Sequence, residues 1–372
     1  MHLAKPLVLL AFAASLATAQ RPAAAPAAAP RAGAIAQVAS FPDQVTGVAV
    51  SEGGRVFVNF PRWTNDVPVS VAEVGRDGSI RPFPNAEWNA WRNAAGPLVD
   101  PGAHFVCVQS VVADGRGSLW VLDPGAPNAE KIVPGAPKLV KIDLATNQVA
   151  QVIRFGEDVA PAASYLNDVR FTPDGRHALI TDSGQKGAIV MVDLGSGTAR
   201  RLLDGHPSVI MDPTVQVTAD GRPLRRPDGR QPQFNSDAIS IGPDGYLYYQ
   251  ALTGKTLYRV PLAALTDPTA TDYSVGRAVE PVAEYRVPDG ILHTRAGALL
   301  LTAPETDEVK VMNPDRTFAT FARDRRLRWP DSMAEGPDGS IYITSSRIQD
   351  SAWFKPENGP RLRTTLYRIP VR

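Results

Sequence analysis

The sequence has a single cysteine, Cys107, and only five histidines among its 372 residues. One cysteine excludes an intramolecular disulfide framework. Its place in the alternating apolar run "HFVCVQSVV" predicts a buried structural thiol. So few histidines argue against a multi-histidine metal centre. Phosphate loops, nucleophile elbows and dinucleotide-binding fingerprints are also missing, which excludes the commonest nucleotide-dependent and serine-hydrolase sites.

An excess of charge is missing as well. The chain carries 39 Lys and Arg residues against 38 Asp and Glu residues. A nearly neutral chain lacks the positive electrostatic field that attracts nucleic acids and anionic membranes. We therefore expect a small-molecule ligand or substrate as the partner and no nucleic acid.

The longest apolar run is short and lies at the N-terminus. It spans residues 7–16 after Lys5 and is followed by "ATAQ". This pattern predicts a signal peptide over residues 1–19, and the apolar run is too short to cross a bilayer. We expect a secreted or periplasmic protein with no membrane span after cleavage. The Ala/Pro-rich residues 20–34 read as a linker, which leaves 35–372 as the folded domain.

What the sequence has in abundance is one repeated pattern, rich in turn residues. A polar residue is followed two positions later by an apolar one, and a glycine turn and a second apolar run come next. The polar positions of the six copies are Thr46, Gln109, Asn167, Asp237, Asp289 and Asp331. The turn glycines are Gly54, Gly117, Gly175, Gly245, Gly297 and Gly339. Alternation on both sides of such a turn is typical of a β-hairpin.

Further strand-like runs follow most hairpins, such as "KLVKIDL" and then "QVAQVIRF". Four strands per unit at a period of about 40–70 residues indicate the blades of a β-propeller. The sequence therefore predicts an all-β, six-bladed propeller. The last repeat ends on a third strand, "TTLYRIPVR", so we expect the spare run "AIAQVASF" (34–41) to complete blade six and close the ring.

The six polar positions define the expected site. The first strand of each blade lines a propeller's channel, so these residues should form a ring at one mouth of it. Aromatic residues precede several of them, and polar residues end the second strands nearby. Apolar walls with a few convergent polar groups describe a small-molecule pocket. The ligand-binding residues expected there are Gln109, Tyr165, Phe234, Asp289, Trp329 and Arg347.

Three aspartates facing one axis repel each other when they are ionised. Either their pKa values rise or a cation binds. Carboxylate and amide oxygens suit Ca²⁺ or another divalent cation, with Asn167, Asp237 and Asp331 as the expected ligands. The alternative is that the ring caps strands and binds channel water. Asp168 is expected to point away from the ring and to have a structural role.

His293 and Glu335 form a second candidate pair. Both lie four residues after a ring position, in adjacent blades, where the other blades carry apolar residues. Such a pair can act as a buried acid/base couple, or it can be a satisfied structural contact. The candidate catalytic residues are thus Asp237, Asp331, His293 and Glu335.

The sequence motifs of the repeats resemble those of a known family. "VCVQSVVADGRGSLWVLDPG", "YLNDVRFTPDGRHALITDSG" and "RWPDSMAEGPDGSIYITSSRI" are similar to the bacterial branch of the major royal jelly protein/yellow family, over about residues 40–370. The resemblance implies a six-bladed propeller, secretion, and a central cavity for small aromatic or amine-type ligands. Some members of that family are linked to dopachrome conversion, and others bind ligands without a known reaction.

The repeats also resemble, more distantly, the gluconolactonase/senescence-marker/paraoxonase group of propellers. That group implies a divalent metal held by an Asn and an Asp, which fall on Asn167 and Asp237, and by a Glu, which falls on Thr46. The missing carboxylate at Thr46 departs from that pattern. The resulting hypotheses are a lactone hydrolase or a dopachrome-type tautomerase, a non-catalytic binder of small aromatic amines, and a protein-interaction scaffold.

Overall fold

Four-stranded antiparallel sheets repeat six times along the chain. The computed structural model describes Met1 and residues 30–94 and 99–372. The predicted signal peptide, apart from Met1, and most of the predicted linker lie outside the described residues. The sheets are the blades of the predicted six-bladed propeller, so the predicted fold is confirmed.

Each blade uses consecutive strands, except at the closure of the ring. Blade 1 contains β2 (Val48–Val50), β3 (Val56–Asn59), β4 (Val71–Val74) and β5 (Ile80–Pro82). Blade 2 contains β6 (Ser110–Ala113), β7 (Ser118–Asp123), β8 (Lys138–Asp143) and β9 (Gln148–Arg154). Blade 3 contains β10 (Leu166–Phe171), β11 (His177–Asp182), β12 (Ala188–Asp193) and β13 (Ala199–Leu202).

The second half of the chain continues the pattern. A small hairpin of β14 (Thr218–Ala219) and β15 (Arg222–Pro223) precedes blade 4. Blade 4 contains β16 (Ser236–Ile241), β17 (Tyr246–Ala251), β18 (Thr256–Pro261) and β19 (Glu280–Glu284), with helices α1 (Leu262–Thr266) and α2 (Asp272–Arg277) before its last strand. Blade 5 contains β20 (Ile291–His293), β21 (Leu299–Ala303), β22 (Glu308–Met312) and β23 (Phe318–Arg323). Blade 6 contains β24 (Pro330–Glu335), β25 (Ile341–Ser345), β26 (Thr364–Ile369) and β1 (Ala36–Phe41).

The first strand of each blade contacts the first strands of both neighbouring blades, which closes the ring around a central axis. The turn glycine of every blade has a positive φ, between 70° and 84°. An L side chain rarely adopts this conformation, which explains why glycine stands at each turn. All six turns therefore lie at one end of the channel, and the six polar ring positions lie toward the other end, called the mouth here.

The N-terminal strand closes the propeller as the sequence predicted. β1 pairs antiparallel with β26, from Ala36 opposite Arg368 to Phe41 opposite Thr364. Backbone hydrogen bonds continue this pairing back to Arg31, which bonds with Arg372. Phe41 is buried and packs edge-on against Phe60 at a ring distance of 5.2 Å. The ring is thus joined by hydrogen bonds and by apolar burial together.

Two long insertions cover the mouth. They span residues 203–235, between blades 3 and 4, and residues 346–363, inside blade 6. Arg328 joins them, since its guanidinium lies 2.8 Å from both Asp220 and Asp350. An apolar cluster beneath the insertions includes the buried free thiol of Cys107, whose pKa burial raises to about 12. No helix among the described residues has the length and apolarity needed to cross a membrane.

Candidate functional site

A cavity of about 390 Å³ opens at the mouth of the channel. Ring residues form its floor, and aromatic residues of the blades and insertions form its walls. The floor residues are Gln109, Asn167, Asp237, Asp289 and Asp331. The aromatic residues are Trp63, Tyr165, Phe234 and Trp353. The structure therefore brings five of the six ring positions together, in a cavity of the size that holds a small ligand.

The three floor aspartates are buried close together. Burial raises the pKa of Asp289 to about 7, although the indole N–H of Trp329 donates a hydrogen bond to its carboxylate. Burial, together with the charge of Asp289, also raises the pKa values of Asp237 and Asp331 well above their usual range. The floor therefore holds one carboxyl that titrates near neutrality beside two whose pKa values are also raised.

Asp168 also faces the axis, in contrast to the sequence-based expectation. The pairing of β10 with β11 slips between Leu166 and Val169, so Asn167 and Asp168 occupy an irregular, bulged position. A bulge re-aims side chains and breaks strict alternation. Asp168 lines a smaller cavity of about 170 Å³ at the turn side of the floor, and its charge raises the pKa values of all three floor aspartates.

Among the described residues, the Asp168 carboxylate forms an ion pair with Arg170 at 3.5 Å. The turn-side cavity meets the floor through another contact, because the hydroxyl of Ser332 lines that cavity and donates to Asp331 over 3.1 Å. Asp168 and the three floor aspartates thus lie along the axis, with the mouth cavity on one side and the turn-side cavity on the other.

Tyr165 is fixed at the wall of the mouth cavity by a chain of hydrogen bonds. The indole N–H of Trp63 donates to the Tyr165 hydroxyl at 2.5 Å, and that hydroxyl donates to Gln109 at 3.0 Å. Trp63 in turn packs against Trp353 at 5.0 Å. These contacts hold the predicted ligand-binding residues Tyr165 and Gln109 in place at one wall.

Other expected rim residues lie behind the cavity. Trp329 is fully buried and reaches the site only through its hydrogen bond to Asp289. Thr46 is buried beside Asn59, which donates to its hydroxyl at 2.9 Å, so it is not part of the cavity lining. Phe234, by contrast, lines the cavity, and its backbone N–H donates to Thr253.

The cation at the cavity is not the one that the sequence suggested. Arg347 is turned away, with its guanidinium held by Asp350 and by the carbonyl of Arg363. Arg226, in the insertion at 203–235, lines the cavity instead. Arg226 lies outside the repeats, so aligning the repeats could not predict its position. The sequence offers one weak indication, namely that Arg226 lies in an insertion rich in Arg and Pro.

His293 and Glu335 are not brought together. The imidazole of His293 contacts the hydroxyl of Ser240 at 3.1 Å and packs on Tyr248, and burial lowers its pKa to about 4. Glu335 accepts the backbone N–H of Arg295 at 2.6 Å. Both lie toward the turns, away from the mouth cavity, so their contacts match the structural alternative rather than an acid/base pair.

The floor is not arranged as a metal site. Across residues 30–94 and 99–372, no group of three or more His, Cys, Asp or Glu side chains is placed to hold a metal ion. Carboxylate oxygens of Asp289 and Asp331 already accept hydrogen bonds from Trp329 and Ser332. These described residues do not form a ready-made calcium shell. The predicted cation at Asn167, Asp237 and Asp331 stays a prediction.

Comparison with known proteins agrees with this architecture. The model of a family described as "Major royal jelly protein" matches residues 106–354, two thirds of the chain. The chain is 26% identical over 151 residues to dopaminechrome tautomerase of Drosophila melanogaster, covering 37% of this chain and 31% of that protein. It is 30% identical over 236 residues to protein yellow of Drosophila guanche, covering 60% and 40%. The chain spans less than half the length of these curated relatives.

Solved structures share the fold at low sequence identity. A gluconolactonase of Xanthomonas campestris has a TM-score of 0.56 at 13% identity, with 92% of this chain and 94% of that chain covered. Regucalcin, a calcium-binding protein of Agrobacterium tumefaciens, has a TM-score of 0.52 at 14% identity, with 88% and 90% covered. These similarities show the six-bladed fold alone.

Proposed function

The chain belongs to the major royal jelly protein family, and we propose that its mouth cavity tautomerises the cyclic, oxidised form of a small aromatic amine. The observation that carries this proposal is the group of buried carboxyls, Asp237, Asp289 and Asp331, on the floor of an aromatic-walled cavity. The similarity to a dopaminechrome tautomerase supports an oxidised catecholamine ring as the substrate.

Conversion of an aminochrome to a dihydroxyindole moves two protons from ring carbons to the two carbonyl oxygens, one in each tautomerisation step, and leaves the composition of the substrate unchanged. A carboxylate accepts a proton from a ring carbon, and the electron pair of the broken C–H bond moves into the ring. In the same step a neighbouring carboxylic acid donates a proton to a carbonyl oxygen on the ring, which becomes a hydroxyl. The catalyst therefore needs one ionised and one protonated group within a single pocket.

The floor supplies both groups. Asp289, with a pKa of about 7, is ionised in a large fraction of molecules at neutral pH and is assigned as the base. Asp237 and Asp331, whose pKa values burial and the charge of Asp289 raise well above their usual range, are assigned as acids. After each step Asp289 holds the proton and an acid has lost one, and proton exchange between these neighbouring carboxyls restores the starting state.

The test is the decay of the aminochrome formed from dopamine, followed by absorbance and corrected for the uncatalysed reaction. We expect Asp289→Asn and Asp237→Asn each to lower kcat by about 100-fold or more, the usual share of a general acid or base. Glu335→Gln, at the turn side, is the matched control and should keep the wild-type rate. Unchanged rates in both aspartate variants would refute the proposal.

A non-catalytic binding role is the second candidate, favoured by the aromatic walls of Trp63 and Trp353 above an acidic floor. Calorimetric binding of catecholamines without turnover would replace the first proposal with this one. A metal-dependent lactonase is less favoured, since Thr46 offers no carboxylate and the floor does not fit a metal shell. Export remains a prediction from residues 1–19, to be tested by N-terminal sequencing of exported protein.

A further inference from the structure

Arg226 places a guanidinium at the wall of the mouth cavity. It begins a tight turn in which its backbone N–H donates to Arg230 at 2.7 Å and its carbonyl accepts from Gly229 at 2.9 Å. The side chain extends back to the cavity and lies over the ring of Trp353, with 5.5 Å from its central carbon to the ring centroid. Stacking of this kind holds the planar guanidinium in one orientation.

This guanidinium has no anionic partner among the described residues. The nearest carboxylate in its turn, Asp228, is bound by Arg230 at 2.6 Å instead. Half-burial beside Trp353 lowers the pKa of Arg226, which is a cost of placing an uncompensated charge there. The donors of a planar guanidinium match a carboxylate with two parallel hydrogen bonds.

The cavity therefore holds a cation and acidic groups in different places. Of its described lining residues, Arg226 is the only Lys or Arg, whereas the floor holds Asp237, Asp289 and Asp331 and the exposed edge holds Glu130. A ligand whose amine faces the floor and whose anionic group faces Arg226 would satisfy both. A ligand with the amine alone would leave Arg226 without a partner.

We propose that the cavity selects ligands that carry a carboxylate beside the aromatic amine, with Arg226 binding that carboxylate. This inference rests on the proposed function, which supplies the class of substrate. It narrows that class to derivatives of aromatic α-amino acids and excludes derivatives of the corresponding decarboxylated amines. Arg226 is a binding residue and takes no part in the proton transfer.

The test compares two aminochromes that differ in the carboxylate, one made by oxidation of L-dopa and the other of dopamine. The readout is the ratio of their kcat/KM values. We expect wild type to favour the carboxylated substrate and Arg226→Gln to lower the ratio by roughly 10- to 100-fold through KM, the range of a charge-assisted hydrogen-bond pair. Arg226→Lys should restore only part of it, because an ammonium lacks the planar fork.

Arg225→Gln is the matched control, because Arg225 is exposed and, within the described part of the chain, its side chain donates to the carbonyl of Gly229 alone. It should leave the ratio at the wild-type value. A ratio near one in wild type, or a ratio that Arg226→Gln does not change, overturns the inference while the tautomerase proposal stands.

If neither aminochrome is turned over, the tautomerase proposal fails and the inference is tested by binding. Calorimetric titration then compares L-tyrosine with tyramine. Tighter binding of tyrosine in wild type that is lost in Arg226→Gln supports a carboxylate site. Equal binding of the two ligands, or binding of neither, overturns it.

Discussion

Replacing Asp289 by Asn should make the stability of the propeller less sensitive to pH. The side chain is buried on the floor and accepts a hydrogen bond from the indole of Trp329. Asparagine has nearly the same shape, and its carbonyl oxygen can accept the same bond. The substitution therefore removes the titrating group and keeps the packing.

The size of the effect follows from the raised pKa. Burial raises the pKa of Asp289 from 3.8 to about 7, so the folded state holds a proton that the unfolded chain has already lost. The stability from this group is fully present below pH 3.8 and is lost as the pH rises to about 7. About two pH units of this loss lie between pH 5 and pH 8, which is about 3 kcal/mol at about 1.4 kcal/mol per unit.

The assay is urea unfolding at pH 5 and pH 8 of wild type, Asp289→Asn and Asp315→Asn. Relative to wild type, Asp289→Asn should gain about 3 kcal/mol of unfolding free energy on going from pH 5 to pH 8. Asp315 is exposed, and hydrogen bonds from Thr317 lower its pKa, so its variant should show no such change. An equal difference at both pH values would mean that Asp289 is ionised and compensated in the folded protein, and would refute the account of the floor.

Three other substitutions test separate parts of the structure. Phe41→Ala should lower the free energy of unfolding in urea by about 3–5 kcal/mol, because it leaves a cavity where the Phe41 ring packs on Phe60. A loss below about 1 kcal/mol would show that the closure by β1 contributes little to stability. Lys138→Met should cost about 3–5 kcal/mol, because it leaves the buried Asp123 carboxylate without its cation at 2.9 Å; a neutral result would mean that Asp123 becomes protonated at no cost. Asp168→Asn should lower the pKa of Asp289 by removing a neighbouring charge, and so move the acid limb of the kcat/KM profile to lower pH; an unmoved limb would exclude coupling along the axis.

The regular spacing of the six repeats explains why the architecture could be predicted from the sequence. Each blade begins with the same hairpin around a glycine of positive φ, so aligning the copies located the mouth and the ring positions together. The closure by β1 also followed from counting strands. These signals are local and periodic, so they can be recognised in the sequence without any knowledge of how the side chains pack.

The parts that escaped prediction are those that break the period. Asp168 faces the axis because the bulge in β10 interrupts alternation, and a bulge has no fixed sequence signature. Arg226 reaches the cavity from an insertion, whereas Arg347, at the expected end of a second strand, is drawn away by Asp350. His293 and Glu335 occupy equivalent positions in their blades, but they do not pair. His293 contacts Ser240, and Glu335 accepts a hydrogen bond from the backbone of Arg295.

The pH dependence of kcat/KM for aminochrome tautomerisation tests the central claim most directly. If Asp289 is the base, the corrected value rises with pH through about 7, and Asp289→Asn abolishes this rise together with most of the rate. A corrected rate equal to that of buffer alone, or a rise with the same midpoint in Asp289→Asn, would contradict proton transfer by the buried carboxyls.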